Sequence, residues 1–216
     1  MKRITSRQNP WFKRVRDAAK EHADEIVIEG PKQVADAVAA GWEPIVVLEF
    51  SDDLLRAVAG TKTSRGVFGL FRRPPSRFAA DKLVVALDGV QDPGNVGTIV
   101  RLAAAFDAGV ALLPGCADPF SPKAIRASAG AILNVPIAAV TAQQLIDTGR
   151  PLLYADAAGA PEAPPRDAIL VLGSEGQGVS AAIREGGRAV GIRTTGRVES
   201  LNVAAAAAIL LWQAFR

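Results

Sequence analysis

From residue 83 onward, the sequence alternates between short apolar runs and stretches with helical periodicity. The apolar runs are rich in Val, Leu, Ile and Ala, and they lie at residues 83–87, 110–113, 152–155, 169–172 and 189–192. Helical segments are predicted at residues 96–106, 123–128 and 201–215. Apolar runs joined by helices are typical of a parallel sheet that carries helices on both faces, because its strands are buried on both sides. The sequence therefore predicts an α/β domain over residues 82–216.

A break in the apolar pattern at residues 72–81 separates this domain from the N-terminal part. The break contains two arginines followed by two prolines, a composition that indicates a linker. Before it, the patterning predicts helices and strands in alternation: a helix at 10–20, a strand at 26–28, a helix at 31–40, a strand at 45–50, a helix at 52–59 and a strand at 67–71. We therefore expect a second, small α/β domain over residues 1–75, and a surface loop at residues 155–166.

The composition excludes several classes of protein. With 49% hydrophobic residues in 216, the chain has enough apolar side chains for a substantial core. A single cysteine excludes an internal disulfide and a multi-cysteine metal site, and we expect no metal. The most apolar stretch, residues 203–212, is too short to cross a bilayer, and the N-terminus does not resemble a signal peptide. A cytoplasmic location is therefore expected.

Positive charge is concentrated in the N-terminal third of the chain. The net charge is only +3, but two basic runs stand out, composed of Lys2, Arg3, Arg7, Lys13, Arg14, Arg16 and Lys20, and of Lys62, Arg65, Arg72, Arg73 and Arg77. Such runs suit either a solvated surface or a polyanionic partner. Trp11 and Phe12 lie inside the first run, where they either stack on unpaired bases or anchor the core.

Three loops at predicted strand ends carry glycine and polar residues, at 88–97, 173–178 and 196–202. Ligands of open α/β sheets bind at the carboxyl ends of the strands, so these loops predict one shared site. None has the glycine spacing of a dinucleotide-binding fold or of a P-loop. Leu172 occupies the first glycine position of a hydrolase elbow around Ser174, and the single histidine, His22, lies in the other domain, which excludes a histidine-based triad. Cys116 is better explained as a packed or loop thiol than as a nucleophile.

The same loops resemble the three motifs of the SpoU-type RNA methyltransferases. Residues 91–101 (QDPGNVGTIVR) resemble the first motif, residues 170–178 (LVLGSEGQG) the second and residues 192–205 (IRTTGRVESLNVAA) the third, in the family's order. Residues 4–30 are similar to the substrate-binding extension of many members, which resembles a ribosomal L30e-type module. The resemblance covers nearly the whole chain and is closest to the branch that acts on ribosomal RNA.

The resemblance implies a SPOUT fold, in which the C-terminal segment is threaded into a deep trefoil knot that forms the S-adenosylmethionine pocket. It also implies a homodimer and an RNA partner, ribosomal RNA more than transfer RNA. The implied reaction is transfer of a methyl group from S-adenosylmethionine to a ribose 2′-hydroxyl of RNA.

The resemblance assigns roles to five polar residues. Arg101 is the implied catalytic arginine, which contacts the target 2′-hydroxyl and an adjacent phosphate. Asn95 orients Arg101 or its loop, and Asn202 and Ser200 order the catalytic pocket. Glu175 holds the second loop or the partner's site. Because a guanidinium stays protonated in proteins, Arg101 is expected to stabilise the forming alkoxide and not to act as a general base.

Backbone and side-chain groups of the second and third motifs are expected to hold the cofactor. These are Leu172, Gly173, Gly176, Ile192, Ser200 and Leu201. The third motif departs from the family pattern, because Arg193 and Thr194 replace the usual Pro-Met. Losing the proline frees one backbone dihedral and adds an N–H, which predicts a looser cofactor loop.

Three other interpretations are compatible with the sequence. A transfer-RNA 2′-O-methyltransferase would share all three motifs. A non-catalytic RNA-binding protein of the same fold would be consistent with the altered Arg193 and Thr194. A Rossmann-like nucleotide-dependent enzyme is disfavoured by the absent glycine fingerprint.

Overall fold

The computed structural model describes residues 1–21, 24–58 and 66–216, which form two sheets. The N-terminal sheet has the order β1-β3-β4-β2, with β1 parallel to β3 and with β4 antiparallel to both of its neighbours. Its elements are β1 (Lys2–Ile4), α1 (Pro10–Glu21), β2 (Glu25–Glu29), α2 (Pro31–Ala39), β3 (Pro44–Phe50), α3 (Asp52–Val58) and β4 (Val67–Arg72). His22, Lys62, Arg65 and the predicted helix end at Ala59 lie outside the described residues.

The amphipathic helix α1 packs one face against this sheet. Phe12 is only 2% exposed and meets Phe50 edge to face, with ring centroids 5.6 Å apart. Phe12 is therefore a core anchor and is not available to stack on RNA. Trp11 is half-buried, and the cationic groups of Lys2 and Arg14 lie over its ring at 5.8 and 5.3 Å. This geometry is typical of cation–π contacts and leaves Trp11 at the surface.

The C-terminal sheet is parallel throughout, as the alternating pattern predicts. Its order is β10-β8-β9-β5-β6-β7. The strands are β5 (Val84–Asp88), β6 (Gly109–Leu112), β7 (Ile137–Ala139), β8 (Leu152–Ala160), β9 (Ile169–Gly173) and β10 (Arg188–Val190). In β5, Val85 and Leu87 belong to one apolar cluster, whereas Val84 and Ala86 belong to another. Both faces of the central strands are therefore buried.

Helices cover the two faces of this sheet. They are α4 (Pro93–Ala105), α5 (Pro122–Ala127), α6 (Ala142–Ile146), α7 (Ala181–Gly186) and α8 (Val203–Phe215). Helix α4 packs against both α5 and α8. At Gly97, an added Cβ would lie 2.2 Å from the carbonyl oxygen of Ala124, so only glycine allows α4 and α5 to approach this closely. No described helix is long and apolar enough to span a membrane.

One prediction about a loop was wrong. Residues 155–160 were expected in a surface loop, but they continue β8, which pairs with β10 near Ala160. Alanine and glycine in this segment do not give the alternating pattern that is typical of a strand. Gly159 is needed for the close approach of β8 to β10, because a Cβ there would lie 2.5 Å from the backbone of Val190. The linker predicted at 72–81 is, apart from its first residue, an irregular connection between the two sheets, and it is anchored to the C-terminal sheet. The N–H of Arg77 donates to the carbonyl of Ile137 at 2.8 Å, alongside β7.

Arg150 fixes the end of this connection against the C-terminal sheet. Its guanidinium donates to four backbone carbonyls, those of Ala79, Lys82, Asp167 and Ala168. Burial lowers the pKa of Arg150 from its ordinary value, and the nearby charges of Asp167 and Asp81 oppose that effect. A guanidinium is well suited to this role, because it presents five donors in a fixed plane.

One apolar cluster contains residues of both sheets. Trp42 packs edge to face on Phe120 with ring centroids 5.9 Å apart, and its indole Nε1 donates to the carbonyl of Leu133 at 3.3 Å. Arg73 forms a two-pronged ion pair with Asp118, with N to O distances of 2.6 and 3.1 Å. These contacts join the N-terminal sheet to the α5 side of the C-terminal sheet.

Candidate active site

A cavity of about 380 Å³ lies where β8, β9 and the irregular segment 191–202 meet. Five residues predicted to hold a cofactor line it: Leu172, Gly173, Ile192, Ser200 and Leu201. Gly176, the sixth, lies in the adjacent turn but outside the lining, because the turn holds it out toward solvent with open space around its Cα. The cavity therefore brings the second and third motifs together at the carboxyl end of β9, as open parallel sheets generally do.

The second motif forms a tight turn at the rim of this cavity. Ser174 and Gly178 exchange backbone hydrogen bonds of 3.2 and 3.0 Å, and Gly178 has a positive φ of 66°. A Cβ on Gly173 would lie 2.1 Å from the carbonyl carbon of Gly178. Glycine is therefore required for the turn to fold back on itself, and the folded turn presents Glu175 to solvent.

Asn95 connects all three motifs. Its Nδ2 donates to Oε1 of Glu175 at 2.6 Å, and its Oδ1 accepts from Nδ2 of Asn202 at 3.3 Å. Oδ1 of Asn202 in turn accepts the N–H groups of Ala204 and Ala205, which caps the N-terminus of α8. The structure therefore brings Asn95, Glu175 and Asn202 into one hydrogen-bonded cluster, which we call the asparagine cluster.

Asp92 supports the asparagine cluster from below. One of its carboxylate oxygens accepts the N–H of Asn95 at 2.9 Å, and the other binds Nζ of Lys123 at 2.6 Å. The hydrogen bond from Lys123, and secondly that from Asn95, lowers the pKa of Asp92 below its ordinary value. The sequence predicts the start of this helix at residue 96, and it does not identify Asp92 or Lys123 as site residues. An aspartate before a proline is nevertheless a common signal for the N-terminus of a helix.

Arg101 lies apart from the asparagine cluster and does not line the cavity. It lies six positions after Asn95 in the helix, so its side chain leaves α4 about 120° away from that of Asn95. It is exposed, and its guanidinium has no hydrogen bond or ion pair within the described ranges of the chain. Arg101 is therefore available to a partner that approaches from outside.

Asp156 is a cavity residue that the sequence reasoning missed. Its Oδ1 accepts the N–H of Ala158 at 2.9 Å, and its Oδ2 lies 3.4 Å from a guanidinium nitrogen of Arg184. It was missed because residues 155–166 were assigned to a loop. Thr194 also lines the cavity, whereas Arg193 beside it is exposed and outside the lining. The replacement of Pro-Met therefore places a hydroxyl-bearing side chain in the cavity wall.

The cavity combines apolar and acidic surface. Leu172, Ile192, Leu201 and Leu210 supply apolar area, and Asp156 supplies a carboxylate. Its size and mixed lining fall in the range of small-molecule and cofactor sites. Within residues 1–21, 24–58 and 66–216, no three His, Cys, Asp or Glu side chains are grouped as metal ligands would be.

Comparison with known proteins identifies the family. Residues 82–212 match the model of the SpoU rRNA Methylase family. An uncharacterized tRNA/rRNA methyltransferase of Synechocystis is 32% identical, over 99% of this chain and 93% of the relative. The 23S rRNA (guanosine(2553)-2′-O)-methyltransferase RlmP of Bacillus subtilis is 33% identical, over 87% of this chain and 79% of that protein.

A solved structure agrees with this assignment over almost its whole length. The AdoMet-bound rRNA methyltransferase of Sinorhizobium meliloti superposes with a TM-score of 0.88 at 27% identity, covering 98% of this chain and 96% of that one. Family model, relatives and fold therefore agree, and the chain belongs to the SpoU rRNA Methylase family.

Proposed function

We propose that this chain is an S-adenosylmethionine-dependent RNA 2′-O-ribose methyltransferase that acts on ribosomal RNA. The observation that carries the proposal is the cavity walled by the second and third motifs, which Asn95 joins to the helix that bears Arg101. The ribosomal substrate is favoured by RlmP, which spans most of the chain and acts on 23S rRNA. A transfer-RNA substrate is the alternative, since other relatives are described as tRNA/rRNA methyltransferases.

The size and the lining residues of the cavity suit S-adenosylmethionine. Apolar side chains at Leu172, Ile192 and Leu201 suit the adenine ring, and Gly173 lets the backbone approach it closely. The carboxylate of Asp156 suits a cationic ligand. When bound, S-adenosylmethionine supplies a methyl group on a sulfonium. Ser200 would position the ligand from the third motif, and Glu175 would hold the adjacent turn through Asn95.

Arg101 would act on the RNA. Its permanent charge stabilises the alkoxide that forms as the 2′-hydroxyl attacks, and its planar donors hold a neighbouring phosphate. A protonated guanidinium cannot accept the proton, which goes to an RNA phosphate oxygen in this scheme. Much of the rate acceleration would come from alignment of the hydroxyl with the methyl group.

We further propose that the active protein is a homodimer with its active site near the subunit interface. Two features support this proposal. Arg101 is exposed and separated from the cavity of its own chain. At the end of α8, Trp212 and Phe215 are 48% and 47% exposed and lie three residues apart on one face of the helix, where a second copy of the chain would cover them.

The same proposal includes the SPOUT knot and a separate function for each of the two domains. Residues 1–75 would form an L30e-like domain that binds the RNA substrate, and residues 82–216 the catalytic domain. The knot rests on the motif resemblance. Beside the cavity the backbone is tightly packed, because a Cβ on Gly191 would lie 2.3 Å from the carbonyl oxygen of Gly159.

Replacing Arg101 tests the proposed function. We expect Arg101→Ala to lower methyl transfer about a hundredfold or more, as loss of a charge-stabilising donor generally does, and to leave S-adenosylmethionine affinity within about twofold. Transfer of labelled methyl groups to ribosomal RNA measures the first quantity, and calorimetry the second. Arg126→Ala, another exposed arginine, on α5, is the matched control and should keep most of the activity. Undiminished transfer by Arg101→Ala would contradict the assigned role.

A further inference from the structure

A second cavity, of about 480 Å³, lies between the N-terminal sheet and the C-terminal sheet. One wall comes from the segment 40–43 between α2 and β3, around Trp42, and the opposite wall from residues 132–137. The segment that connects the domains crosses it and contributes Arg72, Arg73 and Arg77. We call this cavity the interdomain cleft. None of its lining residues belongs to the three motifs.

Specific hydrogen bonds and an ion pair fix the walls of the interdomain cleft relative to each other. On one side, Trp42 donates to the carbonyl of Leu133 at 3.3 Å, and Arg73 is paired with Asp118. On the other side, the N–H of Arg77 donates to Ile137 at 2.8 Å. Proline residues at 74, 75 and 136 line the cleft and restrict its backbone. A site that is built in this way loses little conformational entropy when a ligand enters.

Two polar side chains of the interdomain cleft have no partner in the described part of the chain. Arg77 and Asn134 are exposed, and no hydrogen bond or ion pair joins their side chains to other described residues. Arg72 is paired with Glu43 at 2.9 Å, but the two side chains are 66% and 69% exposed. Such a surface pair contributes little, so Arg72 can exchange its carboxylate for another anion.

The combination of cationic and amide donors suits one nucleotide. Guanidinium groups bind phosphate with paired hydrogen bonds, and an asparagine amide can both donate to and accept from a base edge. The cleft volume falls within the range of pockets that hold ligands of this size. Trp42 and Phe120 are 8% and 9% exposed, so the aromatic rings serve as walls and do not form an open stacking surface.

We propose that the interdomain cleft binds one unpaired nucleotide of the RNA substrate, outside the nucleotide that is methylated. Arg72 and Arg77 would contact its phosphate, and Asn134 the edge of its base. The inference rests on the proposed function, since it names where that same substrate is held. An unpaired nucleotide is required because a base within a duplex exposes no free Watson–Crick edge to such a cleft.

Binding of short RNA tests the proposal on the full chain. The probe is a fluorescein-labelled single-stranded oligouridylate, compared with the same strand annealed to oligoadenylate, with affinity measured by anisotropy at several salt concentrations. We expect Arg77→Gln to weaken single-strand binding about tenfold and to reduce the salt slope by about 0.7. Asn134→Ala should weaken it about threefold without changing the slope. Arg126→Gln removes one exposed arginine outside the cleft and should change binding less than about twofold.

Crosslinking locates the bound strand. With 4-thiouridine in the probe, we expect crosslinks to residues 132–137 or 72–77, and crosslinks elsewhere only would overturn the proposal. Unchanged affinity and slope in both cleft variants would overturn it while leaving the methyltransferase function intact. Equal binding of the duplex, or full competition by uridine monophosphate, would also overturn it, the latter in favour of a free-nucleotide site. A wild-type protein that binds neither RNA probe would also overturn the proposal, whereas the methyltransferase function is tested separately by methyl transfer to ribosomal RNA. Calorimetry with S-adenosylmethionine shows whether each variant retains the fold.

Discussion

Removal of the Asn95 side chain tests whether the three motifs act as one unit. Asn95→Ala deletes the donor to Glu175, at 2.6 Å, and the acceptor of Asn202, at 3.3 Å. The backbone N–H of Asn95 keeps its bond to Asp92, so the start of α4 is preserved. The substitution therefore removes the hydrogen bonds between the motifs and leaves the N-terminus of α4 intact.

The expected magnitude follows from the two bonds. A sheltered hydrogen bond to a carboxylate contributes about 1.5–3 kcal/mol. Glu175 is exposed, so solvent reduces its contribution to about 1 kcal/mol. The longer bond to Asn202 adds about 0.5 kcal/mol, and the better helix propensity of alanine offsets a few tenths of that. We expect unfolding to become easier by about 1 kcal/mol, which for a chain of this length lowers Tm by about 2–4 °C.

A double-mutant cycle with Glu175→Ala measures the coupling. Urea denaturation gives the stability of each variant, and calorimetry gives its affinity for S-adenosylmethionine. Each single variant should bind the cofactor about fivefold more weakly, and the double variant little more weakly than either, a coupling of about 1 kcal/mol. Gln177→Ala changes an exposed polar residue of the same turn and is the matched control. Strictly additive losses of cofactor affinity would show that the hydrogen bond between Asn95 and Glu175 does not couple the motifs energetically.

Two further predictions concern stability. Arg150→Met leaves four backbone carbonyls without their donor and should lower the free energy of unfolding by about 2–4 kcal/mol; thermal and urea denaturation measure this, and a loss below about 0.5 kcal/mol would contradict the described network. The pKa of Asp92 is lowered in the folded protein, so ionised Asp92 adds to the free energy of unfolding. This contribution is present above the ordinary pKa of 3.8 and is lost as the pH falls through the lowered value. Asp92→Asn should therefore reduce the dependence of the free energy of unfolding on pH below about pH 4. Urea denaturation at several pH values measures this, and the same pH dependence as in the wild type would refute the prediction.

The central sheet was the most predictable part of the fold. Val84 to Asp88 and Ile169 to Gly173 are buried on both faces, so their sequences are almost continuously apolar. Lys2–Ile4 and Ile137–Ala139 were missed because strands of three residues carry too little periodicity to recognise. The second half of β8 was missed because its alanines and glycine serve close backbone contact, which the patterning does not express.

The site could be predicted only where short motifs define it. Asn95, Glu175 and Asn202 were identified from their motifs, and they lie together in the structure. Asp156 and Lys123 were missed, because their contacts cross long stretches of chain and have no local signature. The separation of Arg101 from the cavity likewise depends on the orientation of α4 in three dimensions.

The identity of the methylated nucleoside decides whether the chain is a ribose 2′-O-methyltransferase. Purified protein would be incubated with ribosomal RNA and methyl-labelled S-adenosylmethionine, and the RNA would then be digested to nucleosides and separated. We expect label in a ribose 2′-O-methylated nucleoside, and loss of transfer in Arg101→Ala. Label in a base-methylated nucleoside, or no label from a protein that binds the cofactor, would contradict it.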